Sequence, residues 1–62
     1  MRVRGIINRE ELWLNSNEGW GPESQAREFT EHEAHLKLRI INANNRFLDR
    51  DEQIEAMVVE SR

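Results

Sequence analysis

The chain opens on an alternating stretch. Val3, Gly5 and Ile7 share one parity, and Arg2, Arg4, Ile6 and Asn8 share the other. Strand side chains alternate between faces, so this pattern predicts a strand over residues 2–8 with one face partly wet. Leu12-Trp13-Leu14 alternates against Asn15, Asn17 and Glu18 and predicts a second strand over residues 11–16. The polar residues Asn8-Arg9-Glu10-Glu11 between them can turn, and an antiparallel hairpin is the simplest closure at this separation. Asn15 to Pro22 is dense in turn residues, with Trp20 set between Gly19 and Gly21. The expectation is a structured loop that uses the conformational freedom of glycine, with Trp20 packed beneath it. Ser24 to Phe29 reads either as a short strand or as a bridge that carries Ala26 and Phe29 to the core.

Thr30-Glu31-His32-Glu33 is the clearest local signal. A Thr hydroxyl can accept from the Glu33 amide while the Glu33 carboxylate reaches back to the Thr30 amide, a capping box. Glu31 and Glu33 also suit the positive end of a helix, and Phe29 is placed to staple onto Ala34. A helix over residues 31–43 follows. Ala34, Leu38 and Ile41 form one stripe, and Leu36, Ile40 and Ala43 are read as widening it. His32, His35, Lys37 and Arg39 fall on the wetter side or its borders. Asn42, Asn44 and Asn45 weaken the helix, and Phe47-Leu48 adds a last turn or a lid. After the charged turn Asp49-Arg50-Asp51-Glu52, residues 53–60 alternate with apolar side chains on both parities. That suits a central strand, or one that pairs with a second copy. The predicted architecture is α+β: a small antiparallel sheet, made of an N-terminal hairpin and a C-terminal strand, packed by one helix. Residues 1–62 form a single domain with no internal repeat.

Composition sharpens this. A domain near 60 residues buries only about 60% of the surface its unfolded chain exposes, and small proteins usually need a supplement. The chain has no cysteine, so disulfides and thiolate metal sites are excluded, and a homodimer is the simplest supplement left. No apolar run approaches the ~20 residues of a membrane helix, and residues 1–8 lack the apolar core of a secretory signal. Neither membrane insertion nor export is expected.

Residues 13–34 carry a further pattern: Trp13, a polar stretch, Gly19-Trp20-Gly21, Ala26, Phe29-Thr30 and Glu33-Ala34. It resembles a loose group of very small proteins encoded by tailed phages and prophages, in which a tryptophan strand precedes a Gly-Trp turn and an Ala…Phe-Thr…Glu-Ala segment starts the helix. The resemblance covers about a third of the chain and rests on short motifs. It implies a phage-type origin, a hairpin-plus-helix core and a cytoplasmic location in a bacterial host, but no activity. The chain departs from the pattern after the helix, where Asn42–Leu48 is longer, which leaves the position of the last strand open.

Candidate chemistry is sparse. His32-Glu33-Ala34-His35 sets two histidines three apart on a helix, whereas the protease-type zinc helix needs them four apart. No third ligand is evident, so neither a metal nor a cofactor is expected. Ser16, Ser24 and Ser61 lack a nucleophile-elbow context. Ten glutamates spread along the chain single out no carboxylate pair, and one helix-on-sheet layer rarely encloses a reaction pocket. The chain is read as non-enzymatic.

Two binding functions remain. Trp and Arg are enriched at interface hot spots, which marks Trp13, Trp20, Arg2, Arg4 and Arg9 as partner-binding candidates. The leading expectation is an accessory protein that binds another protein, a host factor being one such partner. The alternative is a small nucleic-acid-binding protein using Arg2, Arg4 and Arg9, with a tryptophan to stack on a base. Against it, the whole chain carries a net charge of −3. Seven glutamates lie between Glu10 and Glu33, so a local acidic, DNA-like patch is also open. If Trp13 faces the helix it fills the core, and Leu12 and Leu14 form an outer apolar face. If Leu12 and Leu14 face the helix, Trp13 is exposed.

Overall fold

Asn8 and Arg9 both take positive φ, 52° and 67°, as a type I′ turn requires, and that turn matches the twist of a tight hairpin. It joins β1 (Arg2–Ile7) to β2 (Glu10–Leu14) in antiparallel register, with Ile7 opposite Glu10 and Gly5 opposite Leu12. These elements come from a computed structural model, which describes residues 1–60. A two-residue strand, β3 (Trp20–Gly21), lies outside β2, and β4 (Glu55–Val59) lies outside β1. The sheet order is β3-β2-β1-β4, antiparallel throughout, and one helix, α1 (Glu31–Asn45), packs on it. The α+β architecture predicted from the hydrophobic pattern is therefore present, with β3 as an added strand.

The loop before β3 works differently from the expectation. Positive φ falls on Glu18, at 61°, and on neither Gly19 nor Gly21. The turn is tied instead by Asn15, whose Oδ1 accepts from the Asn17 and Gly19 amides at 3.0 Å each. Trp20 is not under the loop but in β3, opposite Leu14. Residues 24–29 form a bridge rather than a strand: a 3-10 turn over Glu23–Gln25, then Ala26 paired with Asn15. The Phe29 amide donates to the Met1 carbonyl at 2.6 Å, which fixes the chain just before the helix cap.

Thr30 caps α1 with the full capping box. The helix runs two residues past Ala43, because Asn45 is useful inside it. Its side-chain amide accepts from the Ile54 N–H at 2.9 Å and donates to the Ile54 carbonyl at 2.8 Å. One side chain thus stands in for a neighbouring strand at Ile54, and β4 begins at the next residue rather than at Gln53.

Val3, Leu14, Phe29 and Ala34 form the buried core, with Met1, Trp20, Ile41 and Val58 packed against it. Each fully buried large side chain contributes roughly 1.5–3 kcal/mol. Phe29 and Ala34 meet in this cluster, as the staple predicts. The wider arc expected of the helix does not reach the core: Leu36, Ile40 and Ala43 are exposed. A sheet of short strands accepts only one stripe: Ala34 and Ile41 reach the core cluster, while Leu38 of the same stripe is half-buried beside it.

Candidate functional site

Leu14, Val3 and Val58 face the helix, so strand alternation puts Trp13, Arg2, Arg4, Met57 and Val59 on the opposite face of the sheet. Trp13 is nevertheless only 6% exposed. Neither alternative drawn from the sequence describes it: it is outside the helix-facing core and still covered. The Arg2 guanidinium lies 4.6 Å over its ring and is held by Glu23 at 3.1 Å. Glu23 belongs to the 3-10 turn, which packs against β2. A planar, weakly hydrated cation can cover an aromatic face in this way, and the pairing contributes about 0.5–2 kcal/mol. Arg4 is engaged as well, donating to Met57 Sδ at 2.8 Å and standing 3.8 Å from the Glu11 carboxylate. Arg9 is exposed at the hairpin tip. The five candidate residues therefore do not converge. Trp13, Arg2 and Arg4 share one face, Arg9 stands at its end, and Trp20 lies on the helix side.

Trp20 is half-buried, and the six-membered ring of its indole packs against β1 at Gly5. A Cβ built at Gly5 would sit 2.7 Å from Trp20 Cζ3, inside contact distance. This close approach lets the indole form the floor of a groove between α1 and the β2–β3 side. Ile40, Phe47, Leu48 and Ile54 line the walls, and the cavity measures about 600 Å³. Lys37 ties the groove's rim to the preceding loop through Glu18 at 3.0 Å. That hydrogen bond, then the ammonium's charge, hold Glu18 below the usual carboxylate range. Glu33 is also held low, by the Thr30 backbone N–H and then its hydroxyl.

The groove continues onto the outer surface of α1 and onto the turn that follows it, where Phe47 lies. Leu36 is 41% exposed, Ile40 55% and Phe47 89%. Three of the four large apolar side chains exposed among the described residues thus lie along one line; Met57 is the fourth. The hydrophobic pattern alone predicts that Leu36 and Ile40 widen the core-facing stripe and that Phe47 adds a last turn or a lid. A signal was present: Leu36, Ile40, Ala43 and Phe47 are spaced four, three and four apart, a second apolar stripe beside the first.

His32 and His35 are both exposed, and among the described residues no three His, Cys, Asp or Glu side chains group as a metal site. Ser61 lies outside the described residues. Among the described residues no helix is long and apolar enough to cross a membrane. No family model, curated protein or solved structure matches the chain.

Proposed function

We propose that this chain is a small non-enzymatic accessory protein, of phage type and cytoplasmic in a bacterial host, that acts by binding another protein such as a host factor. The observation that carries the binding role is the exposed line Leu36–Ile40–Phe47 running into the groove floored by Trp20. An apolar patch of this kind on a small charged protein marks an interaction site. The phage-type origin and location rest on the Trp13…Gly19-Trp20-Gly21…Phe29-Thr30 pattern. The nucleic-acid alternative has less support, because Arg2 and Arg4 are occupied by Trp13, Glu23, Glu11 and Met57, leaving Arg9 alone at the tip.

The test is affinity capture from host lysate with wild-type bait and with Phe47→Glu, followed by direct titration of any captured protein. Phe47 is so exposed that the variant keeps the fold. A protein bound by the wild type and lost with the variant supports the reading. Equal capture by both baits, or a salt-sensitive shift of DNA or RNA lost on neutralising Arg9, overturns it.

Self-association is the second part of the proposal, and β4 is the surface that supports it. The type I′ turn makes Ile7 and Glu10 a hydrogen-bonded pair, so alternation aims the backbone groups of Arg2, Arg4 and Ile6 at β4. Their partners Glu55, Met57 and Val59 point back at β1. Ile54, Ala56 and Val58 then point outward; Asn45 satisfies Ile54, while Ala56 and Val58 have no such partner among the described residues. This edge carries no lysine, proline or bulge, and Glu55 at its start is the one charged side chain that guards it against strand addition. A second β4, laid antiparallel about Met57, matches Ala56 to Val58 in both directions. Sedimentation velocity should show a dimer that Ala56→Pro reverts to monomer, since that N–H is not used within the chain. A wild-type monomer at all concentrations removes this part.

A further inference from the structure

Beyond the acidic first turn formed by Glu31 and Glu33, the outer surface of α1 and of the turn that follows it is basic, in contrast to the rest of the chain. Residues 34–48 contain Lys37, Arg39 and Arg46 and no aspartate or glutamate, in a protein with 12 acidic residues. Lys37 is neutralised by Glu18. Arg39 and Arg46 have no ion pair among the described residues. They are seven apart, so they share one edge of the helix, and both border the exposed surface formed by Leu36, Ile40 and Ala43. The line therefore has an apolar ridge, the Trp20 groove running beside it from Lys37 to Leu48, and two guanidinium groups without an ion pair among the described residues along the other flank.

We infer that this surface docks an acidic amphipathic helix of another protein, a conclusion that rests on the protein-binding reading and names its partner's chemistry. The four-three-four spacing of Leu36, Ile40, Ala43 and Phe47 repeats the pattern by which one helix presents a seam to another. It spans roughly 16 Å at 1.5 Å per residue, about three turns of a partner helix. A bulky side chain from that helix enters the groove over Trp20. Carboxylates on its flank meet Arg39 and Arg46, where the forked guanidinium suits a planar acid. A second copy of this chain does not fit the same seam. Laid antiparallel, Arg39 of one copy meets Arg46 of the other, and no carboxylate of 34–48 is available to separate them. The dimer proposed through β4 leaves the seam free.

The inference is tested with two labelled synthetic helices of about 18 residues, both with leucine at the seam positions. One carries glutamate on the flanks and the other lysine. Fluorescence anisotropy with the full chain should show the glutamate helix binding at least about tenfold more tightly than the lysine helix, with the preference weakening as salt rises. Arg39→Glu with Arg46→Glu should invert the preference, and Phe47→Ala should weaken the glutamate helix by about tenfold. Circular dichroism of both variants checks that the fold is kept. Equal affinity for the two helices, or no effect of Phe47→Ala, overturns the inference. So does tighter binding to vesicles of phosphatidylcholine and phosphatidylglycerol than to the glutamate helix, or a dimer that Phe47→Glu dissociates. If the glutamate helix fails while a host protein is still captured through Phe47, the acidic-helix inference falls and the protein-binding reading stands. If capture fails too, both fall.

Discussion

At the scale of single residues, most of what is unusual serves two aromatic rings. Trp13 is covered by a cation, and Trp20 is accommodated by a missing side chain. Gly5 takes an ordinary backbone conformation, so its role is space rather than flexibility. A methyl group there would meet Trp20 Cζ3 at 2.7 Å, Cη2 at 2.8 Å and Ile54 Cγ2 at 3.0 Å. The indole cannot yield by a rotamer change without vacating the groove floor. Gly5→Ala is therefore expected to destabilise the protein by about 1–3 kcal/mol, the usual range for overpacking. It should also red-shift part of the tryptophan fluorescence as Trp20 becomes wet. Urea denaturation read by that fluorescence checks both, and a variant as stable as wild type would show that Trp20 has free room to move.

At the scale of elements, the helix start was the most legible feature and the helix's outer face the least. Thr30 and Glu33 announce the capping box because its chemistry is local: two side chains and two amides within four residues. Hydrophobic alternation placed β1, β2 and β4 for the same local reason. The fate of Leu36 and Ile40 is not local, since it depends on how much sheet lies beneath the helix, and a one-dimensional pattern does not carry that width. In the sequence Asn45 reads as weakening the helix, because the partner that gives it a use, Ile54, lies nine residues away. Trp13 fell outside both alternatives because a polar side chain, Arg2, does the covering. The cap also gives a pH dependence with a definite sign. Glu33 titrates lower when folded, so its stabilisation is fully present above the ordinary carboxylate range of the unfolded chain and is lost as pH falls through the lowered folded one. Thr30→Ala should cost about 0.5–2 kcal/mol near neutral pH. The gap between variant and wild type should shrink in acid. Thermal melts at about pH 7 and about pH 3 check this, and a gap that widens in acid would reverse the assignment.

At the scale of the whole molecule, the surface is larger than the mass warrants. Scaling for folded monomers gives about 4,200 Å² for a chain of this mass, whereas the accessible surface is 4880 Å². The excess is comparable to the ~800 Å² that one partner contributes to a standard interface. Much of the exposed apolar part lies on α1, and Met57 adds some at the β4 edge. A core of so few buried side chains leaves a small margin against conformational entropy, so burying more surface through association should register as stability. If β4 pairs with a second copy, folding and association are linked by mass action. Each tenfold rise in concentration then adds about 0.7 kcal/mol per chain, or roughly 3–5 °C in Tm for a domain of this size. Ala56→Pro should remove that dependence while keeping the pairing of β4 with β1, because the N–H it deletes points away from β1. Differential scanning fluorimetry from about 10 µM to about 1 mM reads both slopes at once. A wild-type Tm that stays constant over that range would mean that β4 remains a free edge and that self-association does not use the excess surface.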